Sequence, residues 1–474
     1  MKEKTLYNHL MEYKKKIYPF HMPGHKLGRK FKLKNIAKID VTEVRGTDNL
    51  HDPSGIIYEA QLKAAKTFGA DKTYFLVNGS TGGIISAITS ICKEKDQVLI
   101  ARNSHKSVYN AILINNLVPI YIYPKVLENG LIGGINPTEI EEKIKNNPHI
   151  KMIIITSPTY EGYVSNIAAI SKITHKYNKI LMVDEAHGSH FRFHNYFPET
   201  SLQQGADIVI QSAHKTLPSI TQTAMLHIKN DRIDTNRLQN ALSIFQTSSP
   251  SYVLMTSLDS CRNIIDTKGN KLFNAYVKQL KDCRHRLKAQ LKNLQLIDNE
   301  IIGSKEIAAM DYSKIVIDCT NADITGAQLD EILRDKYNIQ VELSGINHII
   351  AMTSICDSKY GFKKLVKSLI EIDSKLRKKQ IKGNKYDIIN NARIHYNLKD
   401  AFNKNKVEIK LEDAVDKISG DFIIPFPPGI PLIVPGEIIT EENINLINKY
   451  LELDIEIMGL CNKEHRTINI IEEV

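Results

Sequence analysis

The chain has 474 residues, of which 42% are hydrophobic and 24% charged, and 63 basic against 53 acidic residues give a formal net charge of +10. Because single cores stop growing at roughly 250–300 residues, we expect more than one domain. The lysines lack interleaved aromatic side chains and no apolar run approaches about 20 residues, so we expect neither a nucleic-acid partner nor a membrane span.

The amino terminus and the cysteines indicate the compartment. The first 16 residues are charged and lack the apolar core of a signal peptide. The cysteines show no close CxxC pairing, which indicates free thiols in a reducing environment. We therefore expect a cytoplasmic protein. The six cysteines are at positions 92, 261, 283, 319, 356 and 461.

The hydrophobic pattern predicts an arm followed by α/β domains. Leu6, Leu10, Tyr13 and Ile17 have amphipathic helical spacing. Strands and helices then alternate from about residue 70 to 230, which is typical of a doubly wound parallel sheet. Further on, a lysine-rich helix is predicted within 270–296, and strands at 314–319 and 339–343 flank another helix. The expected boundaries are 1–35 for the arm, 36–300 for the major domain, 301–377 for a small α/β domain and 378–474 for a C-terminal domain.

A small polar turn follows the first predicted strand of the major domain. Residues 74–77 are strand-like, residues 78–83 read Asn-Gly-Ser-Thr-Gly-Gly, and an apolar helical stretch follows. Free backbone N–H groups and two hydroxyls converge at such a helix start, so Ser80, Thr81 and Gly82 are candidates for binding a phosphate. The alternative is an ordinary turn with Ser80 or Thr81 as helix cap.

A histidine follows the next predicted strand. Residues 97–101 are strand-like, and His105 comes shortly after them. Its flat ring can stack on a flat ligand at the edge of the sheet. The alternative is a loop histidine whose hydrogen bonds are satisfied locally.

The most informative residues are Asp184 and Lys215. The apolar run 180–183 is typical of a strand buried on both faces, and it places Asp184 at the carboxyl end, where ligands bind. Lys215 follows the run Ser-Ala-His. A lysine that can form a Schiff base, after a strand that ends in an aspartate, is what a pyridoxal phosphate enzyme requires. The carboxylate would keep the pyridine nitrogen protonated by charge pairing.

Eight stretches of the chain together resemble the ornithine, lysine and arginine decarboxylase family, in the branch built on the aspartate aminotransferase fold. The resemblance covers nearly the whole chain in the expected order. The stretches are FHMPGHK (20–26), VTEVRGTDNLHDPSG (41–55), FLVNGSTGG (75–83), RNSHKSVYNA (102–111), SPTYEGYVSNI (157–167), VDEAHGSHF (183–191), QSAHKTLPS (211–219) and FPPGIPLIVPGE (426–437).

The resemblance implies a fold and a set of residue roles. The implied fold is α/β, with a type I aspartate aminotransferase major domain on a mainly parallel sheet and smaller α/β C-terminal domains. Lys215 would carry pyridoxal 5'-phosphate, Asp184 would pair with its ring nitrogen and His105 would stack on its ring. The resemblance also implies Ser80, Thr81, Gly82, Ser212 and His214 around the phosphate, Ala186 against the other ring face, His187 as donor to the phenolic oxygen, and Thr247 and Ser248 reaching the phosphate of a neighbouring subunit.

The implied reaction is decarboxylation of a small basic amino acid through an external aldimine and a quinonoid intermediate. Lys215 or a histidine would return the proton. Arginine is favoured because the compact chain resembles short bacterial arginine decarboxylases, and lysine or ornithine are the alternatives. The substrate's cationic tail needs a carboxylate; Glu437 is preferred, although it also suits a helix start. The other candidates are Glu43, Asp48 and Asp52.

The resemblance also implies an oligomer. Larger family members carry a receiver-like domain before the PGHK region, which builds their rings, and little precedes His21 in this chain. We therefore expect a homodimer with active sites shared across the interface, or a tetramer, and a role in polyamine synthesis.

Three other functions use some of the same residues. An aminotransferase would offer a late arginine to the substrate carboxylate, with Arg393 and Arg466 as candidates. A non-catalytic regulator could keep the cofactor site without turnover. A metal site is conceivable at His187 and His190, but these residues have other assigned uses, so we expect no metal.

Overall fold

A seven-stranded sheet forms the centre of the large domain in the computed structural model, which describes residues 5–30, 33, 35–299, 302–379, 392–426, 429–462 and 466–473. An amino-terminal arm precedes it, with helix α1 (Leu6–Lys16) and strand β1 (Tyr18–Phe20). The elements of the large domain are α2 (Ile56–Phe68), β2 (Lys72–Leu76), α3 (Gly79–Ile91), β3 (Gln97–Ala101), α4 (Lys106–Asn115), β4 (Val118–Ile122), α5 (Pro137–Asn146), β5 (Ile150–Thr156), β6 (Tyr163–Val164), α6 (Ile167–Lys176), β7 (Ile180–Asp184), β8 (Ile208–Gln211), α7 (Ala213–Thr216), β9 (Ala224–Ile228), α8 (Thr235–Phe245) and α9 (Tyr252–Gln290).

The central sheet has the strand order β2-β9-β8-β7-β5-β3-β4. Strands β8, β7, β5, β3 and β4 pair in parallel, whereas β9 runs antiparallel to both β2 and β8. The expectation of an α/β fold with a mainly parallel sheet is confirmed. Because the parallel strands end at one edge, the turns that follow them meet there.

Both faces of the sheet are buried. In β5, Ile154 packs into a cluster with α3 and α4, whereas its neighbours Ile153 and Ile155 pack with α5 and α6 on the other side. This two-sided burial explains why the strands read as continuous apolar runs. Burying apolar side chains stabilises the fold by about 25 cal/mol per Å².

Helix α9 begins earlier than the sequence predicted. It starts at Tyr252, where the Ser251 hydroxyl accepts a hydrogen bond from the Leu254 N–H. Gly269 weakens the helical pattern in the sequence. However, Leu258 and Ile265 are buried in the hydrophobic core, and this packing stabilises the helix on the N-terminal side of Gly269.

The small domain contains the two predicted strands and the helix between them. Its main sheet has the strand order β10 (Gln295–Leu296), β12 (Lys314–Asp318), β15 (His348–Met352) and β14 (Leu343–Ser344). Of the other described strands, β13 (Ile339–Val341) pairs in parallel with β1 of the arm, and β11 (Ala309–Met310) pairs antiparallel with β6 of the large domain. The arm's strand therefore belongs structurally to the small domain. The helices of this domain are α10 (Gly326–Tyr337) and α11 (Lys359–Asp373).

The C-terminal domain has its own hydrophobic cluster, which includes Ile423, Ile447 and Ile468. Most of the turn-prone stretch at the predicted boundary, residues 380–384, lies outside the described residues. The elements of the C-terminal domain are α12 (Leu398–Asn403), β16 (Lys406–Lys410), a 3₁₀ turn at Leu411–Ala414, β17 (Ile424–Pro425), α13 (Glu441–Glu452), β18 (Ile457–Met458) and β19 (Thr467–Ile471). Two further 3₁₀ turns, at Ile36–Lys38 and Phe191–Phe193, lie earlier in the chain. Across the described ranges, no helix is long and apolar enough to cross a membrane.

Candidate active site

A cavity of 230 Å³ opens at the edge where the parallel strands end. Its wall comes from the turns after β2, β3, β5, β7 and β8, together with Ile132 and, from the C-terminal domain, Ile430. The fold therefore gathers side chains that are far apart in sequence. The predicted site residues in the wall are Ser80, Thr81, His105, Asp184, Ala186, His187, Ser212, His214 and Lys215.

Lys215 lies in the short helix α7, directly after β8. Its Nζ is 3.0 Å from Nε2 of His187. Burial lowers the pKa of Lys215, while the charges of Asp184 and Glu342 oppose that shift. A lysine whose pKa is lowered has a larger share of neutral amine, and the neutral amine is the form that attacks a carbonyl.

Asp184 lies at the last position of β7 and is 4% exposed. Burial raises its pKa, and the nearby charge of Lys215 opposes this shift. One carboxylate oxygen, Oδ1, accepts a hydrogen bond from the Ala186 N–H at 3.1 Å. A buried carboxylate at this place gains stability from a cationic partner, and a protonated ring nitrogen would be one.

The start of α3 forms a cup of polar groups. The Gly79 N–H donates to the Gln222 carbonyl, and Gly79 has a φ of +67°, a conformation that glycine adopts without strain. The Ser212 hydroxyl lies 3.0 Å from the Ser80 hydroxyl. Free N–H groups of the first helical turn and these hydroxyls suit a phosphate. Gly82 is buried within α3 and is absent from the cavity wall.

His214 completes this end of the cavity. Its Nδ1 donates to the Thr223 carbonyl at 2.8 Å, so Nε2 carries a lone pair that can accept a hydrogen bond from a ligand. Burial lowers the pKa of His214 to about 4, and the charge of Lys215 adds to the effect. A bound phosphate would oppose this shift because it is an anion.

His105 is held in place from two sides. Its Nδ1 accepts a hydrogen bond from the Ser107 N–H at the start of α4. A Cβ atom on Gly429, which has a φ of +84°, would lie 3.3 Å from the ring, so the loop of the C-terminal domain packs closely on His105. Burial, with Lys215 and Lys106 adding to it, lowers the pKa of His105 to about 4. The ring is therefore neutral at pH 7.

Glu437 lies outside the cavity wall. It is 4% exposed, and its Oε2 accepts hydrogen bonds from Arg102 at 3.0 Å and from the Val434 N–H at 2.9 Å. Arg102 also donates to the carbonyls of Pro431 and Leu432. This ion pair attaches the C-terminal loop to the large domain. The contact of Glu437 with a substrate stays a prediction. Its position outside the cavity wall and its pairing with Arg102 do not favour such a contact.

Several other predicted residues lie away from the cavity. Thr247 and Ser248 are exposed in the segment between α8 and α9, and neither lines the cavity of its own chain. Arg466 donates to Asn448, and neither it nor Arg393 is in the cavity wall, which gives the aminotransferase alternative no support. Glu43 accepts from Ser249, Asp48 accepts the N–H groups at the start of α2, and Asp52 is likewise absent from the wall.

Two buried residues at the site were not identified from the sequence as functional. Lys314, at the start of β12, is 0% exposed, and its Nζ is 2.8 Å from Nδ1 of His187. Glu161 lies in the SPTYEG stretch and in the cavity wall, and its Oε2 has no hydrogen-bond partner among the described residues. Burial raises the pKa of Glu161. The SPTYEG stretch could have indicated Glu161 as a functional residue. No local pattern distinguishes Lys314 from an ordinary residue of a buried strand.

The residues present fit pyridoxal phosphate. The cavity offers a lysine amine, a buried carboxylate, a neutral histidine ring and a hydroxyl-lined helix start. Two further wall residues, Asn103 and Thr156, have buried oxygens without hydrogen-bond partners among the described residues, as expected for a site that receives a polar ligand. The metal alternative has no such support, since His190 pairs with Asp311 and no described group of three or more suitable side chains could hold a metal ion.

Comparisons with known proteins cover the same parts of the chain. A family model described as "Orn/Lys/Arg decarboxylase, major domain" matches residues 4–360, and one described as "Orn/Lys/Arg decarboxylase, C-terminal domain" matches residues 389–459. An arginine decarboxylase of Bacillus subtilis is 34% identical, covering 96% of this chain and 94% of that protein. An arginine decarboxylase of Bacillus anthracis is 32% identical, covering 99% and 98%.

A solved structure is also similar. The lysine decarboxylase LdcF of Francisella novicida superimposes with a TM-score of 0.79 at 22% identity, covering 99% of this chain and 81% of that one. This likeness confirms the predicted fold.

The position of Glu437 leads to a stability prediction. Glu437→Gln should lower the free energy of unfolding by about 3 kcal/mol, because it leaves the buried Arg102 charge without a counter-charge. Urea denaturation of the purified protein measures the effect. Glu441→Gln, at an exposed carboxylate nearby, is the control and should change stability by less than about 1 kcal/mol. Equal losses in the two variants would contradict a stabilising role for the pair.

Proposed function

The chain belongs to the Orn/Lys/Arg decarboxylase family, and on this premise we propose that it decarboxylates arginine with bound pyridoxal phosphate. It is a carboxy-lyase. The observation that carries the proposal is the convergence of Lys215, Asp184 and His105 on one cavity, in a chain whose arginine decarboxylase relatives match over nearly its full length. The product would be agmatine, and the role in polyamine synthesis stays a prediction.

The predicted site residues in the cavity wall would surround the cofactor. Lys215 would hold it covalently, Asp184 would face its ring nitrogen, and His105 and Ala186 would lie against its two faces. When bound, the cofactor supplies an electron sink for the electron pair left on the substrate's α carbon. The phosphate would be held by Ser80, Thr81, Ser212 and His214, and the phenolic oxygen by His187.

The protein side chains control charge and protons in this arrangement. Asp184 would stabilise a positive charge at the ring nitrogen, since its own buried charge needs a partner. Lys215 enters the reaction as a neutral amine, which its lowered pKa favours. When the substrate's α-ammonium replaces Lys215 on the cofactor, Lys215 would take up the proton that this ammonium loses. Because burial keeps His105 neutral, we assign to the resulting Lys215 ammonium the return of a proton to the α carbon.

Glu161 is a candidate binding partner for the cationic tail of the substrate. It is 7% exposed and has an oxygen without a partner among the described residues. It also lines a second, mainly apolar cavity of 80 Å³ that shares Ile132, Glu161 and Ile430 with the first. An alkyl chain can pass along the two isoleucines, and a planar guanidinium matches a carboxylate in a bidentate manner. Glu437 also has a buried oxygen, Oε1, without a partner in the described part of the chain, but it lies outside the cavity wall. We therefore favour Glu161 over Glu437 as the tail's partner.

A substrate panel tests the reaction. Purified enzyme with pyridoxal phosphate should release carbon dioxide from arginine faster than from lysine or ornithine, and Lys215→Ala should lose both the visible absorbance of the bound cofactor and turnover. Carbon dioxide capture and absorbance spectra are the measurements. Faster release from lysine or ornithine would show that one of these amino acids is the preferred substrate. Formation of a keto acid without carbon dioxide would indicate an aminotransferase. Cofactor binding without turnover of any substrate would indicate a regulator.

A second experiment tests Glu161. Glu161→Gln should raise the KM for arginine by about 10-fold or more, because a charge-assisted hydrogen bond contributes roughly 1.5–3 kcal/mol. The cofactor absorbance should stay unchanged. Glu128→Gln, at an exposed carboxylate, is the control. If both variants keep the KM of the unmodified enzyme, the tail binds elsewhere.

The assembly is also a proposal. Thr247 and Ser248 are exposed, as residues that reach into a partner's site must be in a single chain. Light scattering should give a mass of two chains of 53.7 kDa each, and Ser248→Trp should raise the dissociation constant of the cofactor by crowding the partner's phosphate. A monomer with full activity, or a decamer, would contradict the dimer.

A further inference from the structure

His187 lies between two lysine amines. Its Nε2 is 3.0 Å from Nζ of Lys215, and its Nδ1 is 2.8 Å from Nζ of Lys314. Burial, with both lysine charges adding to the effect, places the pKa of His187 well below its ordinary value, so the ring is neutral. A neutral imidazole carries one proton and one lone pair, so it accepts from one amine and donates to the other.

The charge of Lys314 decides which ring nitrogen of His187 carries the proton. Burial lowers the pKa of Lys314 to about 8, while Asp311 and Glu342 oppose this shift, so Lys314 is mostly protonated at pH 7. An ammonium has no acceptor, so it donates to Nδ1. The proton of His187 then sits on Nε2, which faces Lys215 and the cavity. The charged or titratable groups that affect this pair are Asp311, Glu342, Lys26, Lys215, His105 and His214.

Lys314 is firmly held in this position. Its N–H donates to the Asp311 carbonyl, and its own carbonyl accepts from Arg284 at 3.0 Å. Its Nζ lies 5.6 Å from the centre of the Tyr160 ring, and that ring meets the His187 ring edge-on at 4.7 Å. The first residue of a small-domain strand thus reaches a histidine of the large domain.

We propose that Lys314 is a positioning residue that fixes His187 in the tautomer with the proton on Nε2, so that His187 presents a hydrogen-bond donor to the cavity. The group that receives this hydrogen bond is the phenolic oxygen of pyridoxal phosphate, and this part rests on the proposed function. A metal-ligating or catalytic histidine is oriented in the same way by the partner of its other ring nitrogen.

The tautomer is tested without the cofactor. In protein labelled with ¹⁵N-histidine and free of cofactor, the His187 signals, identified by their loss in His187→Phe, should show a protonated Nε2 and an unprotonated Nδ1. In Lys314→Met the two tautomers should become mixed, and in Lys314→Arg, which retains a cationic donor, the Nε2–H form should return. An unchanged tautomer in Lys314→Met would overturn the proposal even if the enzyme decarboxylates arginine.

The consequence for the site is tested with the loaded enzyme. Removing Lys314 should raise the pH midpoint of the bound cofactor's visible absorbance by about one unit, because a nearby cation and a donor to the phenolic oxygen are both lost. The shift should shrink severalfold when His187 is already Phe. An equal shift in both backgrounds would mean that Lys314 acts only through its charge, and would also overturn the proposal.

A matched buried lysine is available as a control. Lys26 is 1% exposed and donates to the carbonyls of His21 and Met352, with no contact to His187. Lys26→Met should leave the His187 tautomer unchanged. Thermal unfolding of every variant identifies those that have lost the fold, and the comparison of Lys314→Arg with the unmodified protein, which preserves the buried cation, then carries the test. Loss of the Nε2–H tautomer in a folded Lys314→Arg would contradict the proposal.

Discussion

The site depends on the burial of a lysine amine beside a carboxylate, Lys215 and Asp184, at the edge of a parallel sheet. Burial disfavours the charged form of both groups, so the pKa of the lysine falls and that of the aspartate rises, and their mutual attraction only partly offsets this. The amine is thereby available as a nucleophile, and the carboxylate needs a cationic partner. A cofactor with an aldehyde and a basic ring nitrogen satisfies both requirements.

The large domain alone does not complete this environment. The small domain supplies Lys314, whose ammonium holds His187, and the C-terminal domain supplies Gly429, which covers His105. The Arg102–Glu437 pair keeps the covering loop in place. The packing of the three domains therefore determines the surroundings of His187 and His105.

The sequence predicted the parts of the site that follow strand ends. Asp184 after an apolar run, the Gly-Ser-Thr turn before α3 and His105 after β3 are signals of local chain geometry, because parallel strands must end at one edge. Lys215 was predicted from its place after the strand that ends in Asp184, and the family motifs added the proposed role of Ala186. The strands of the small domain were also predicted, but the start of α9 was not, since tertiary packing outweighs the low helix propensity of Gly269.

The sequence by itself thus determined the fold class, the family and the turns that line the cavity, because periodicity and short motifs are local properties. Only the tertiary structure decided which distant charges meet. It placed Glu437 against Arg102 and brought Lys314 to His187 across a domain boundary. It also left one oxygen of Glu161 in the cavity wall without a hydrogen-bond partner in the part of the chain that the structure describes. Pairings between residues more than a hundred positions apart arise from packing, and no local pattern encodes them.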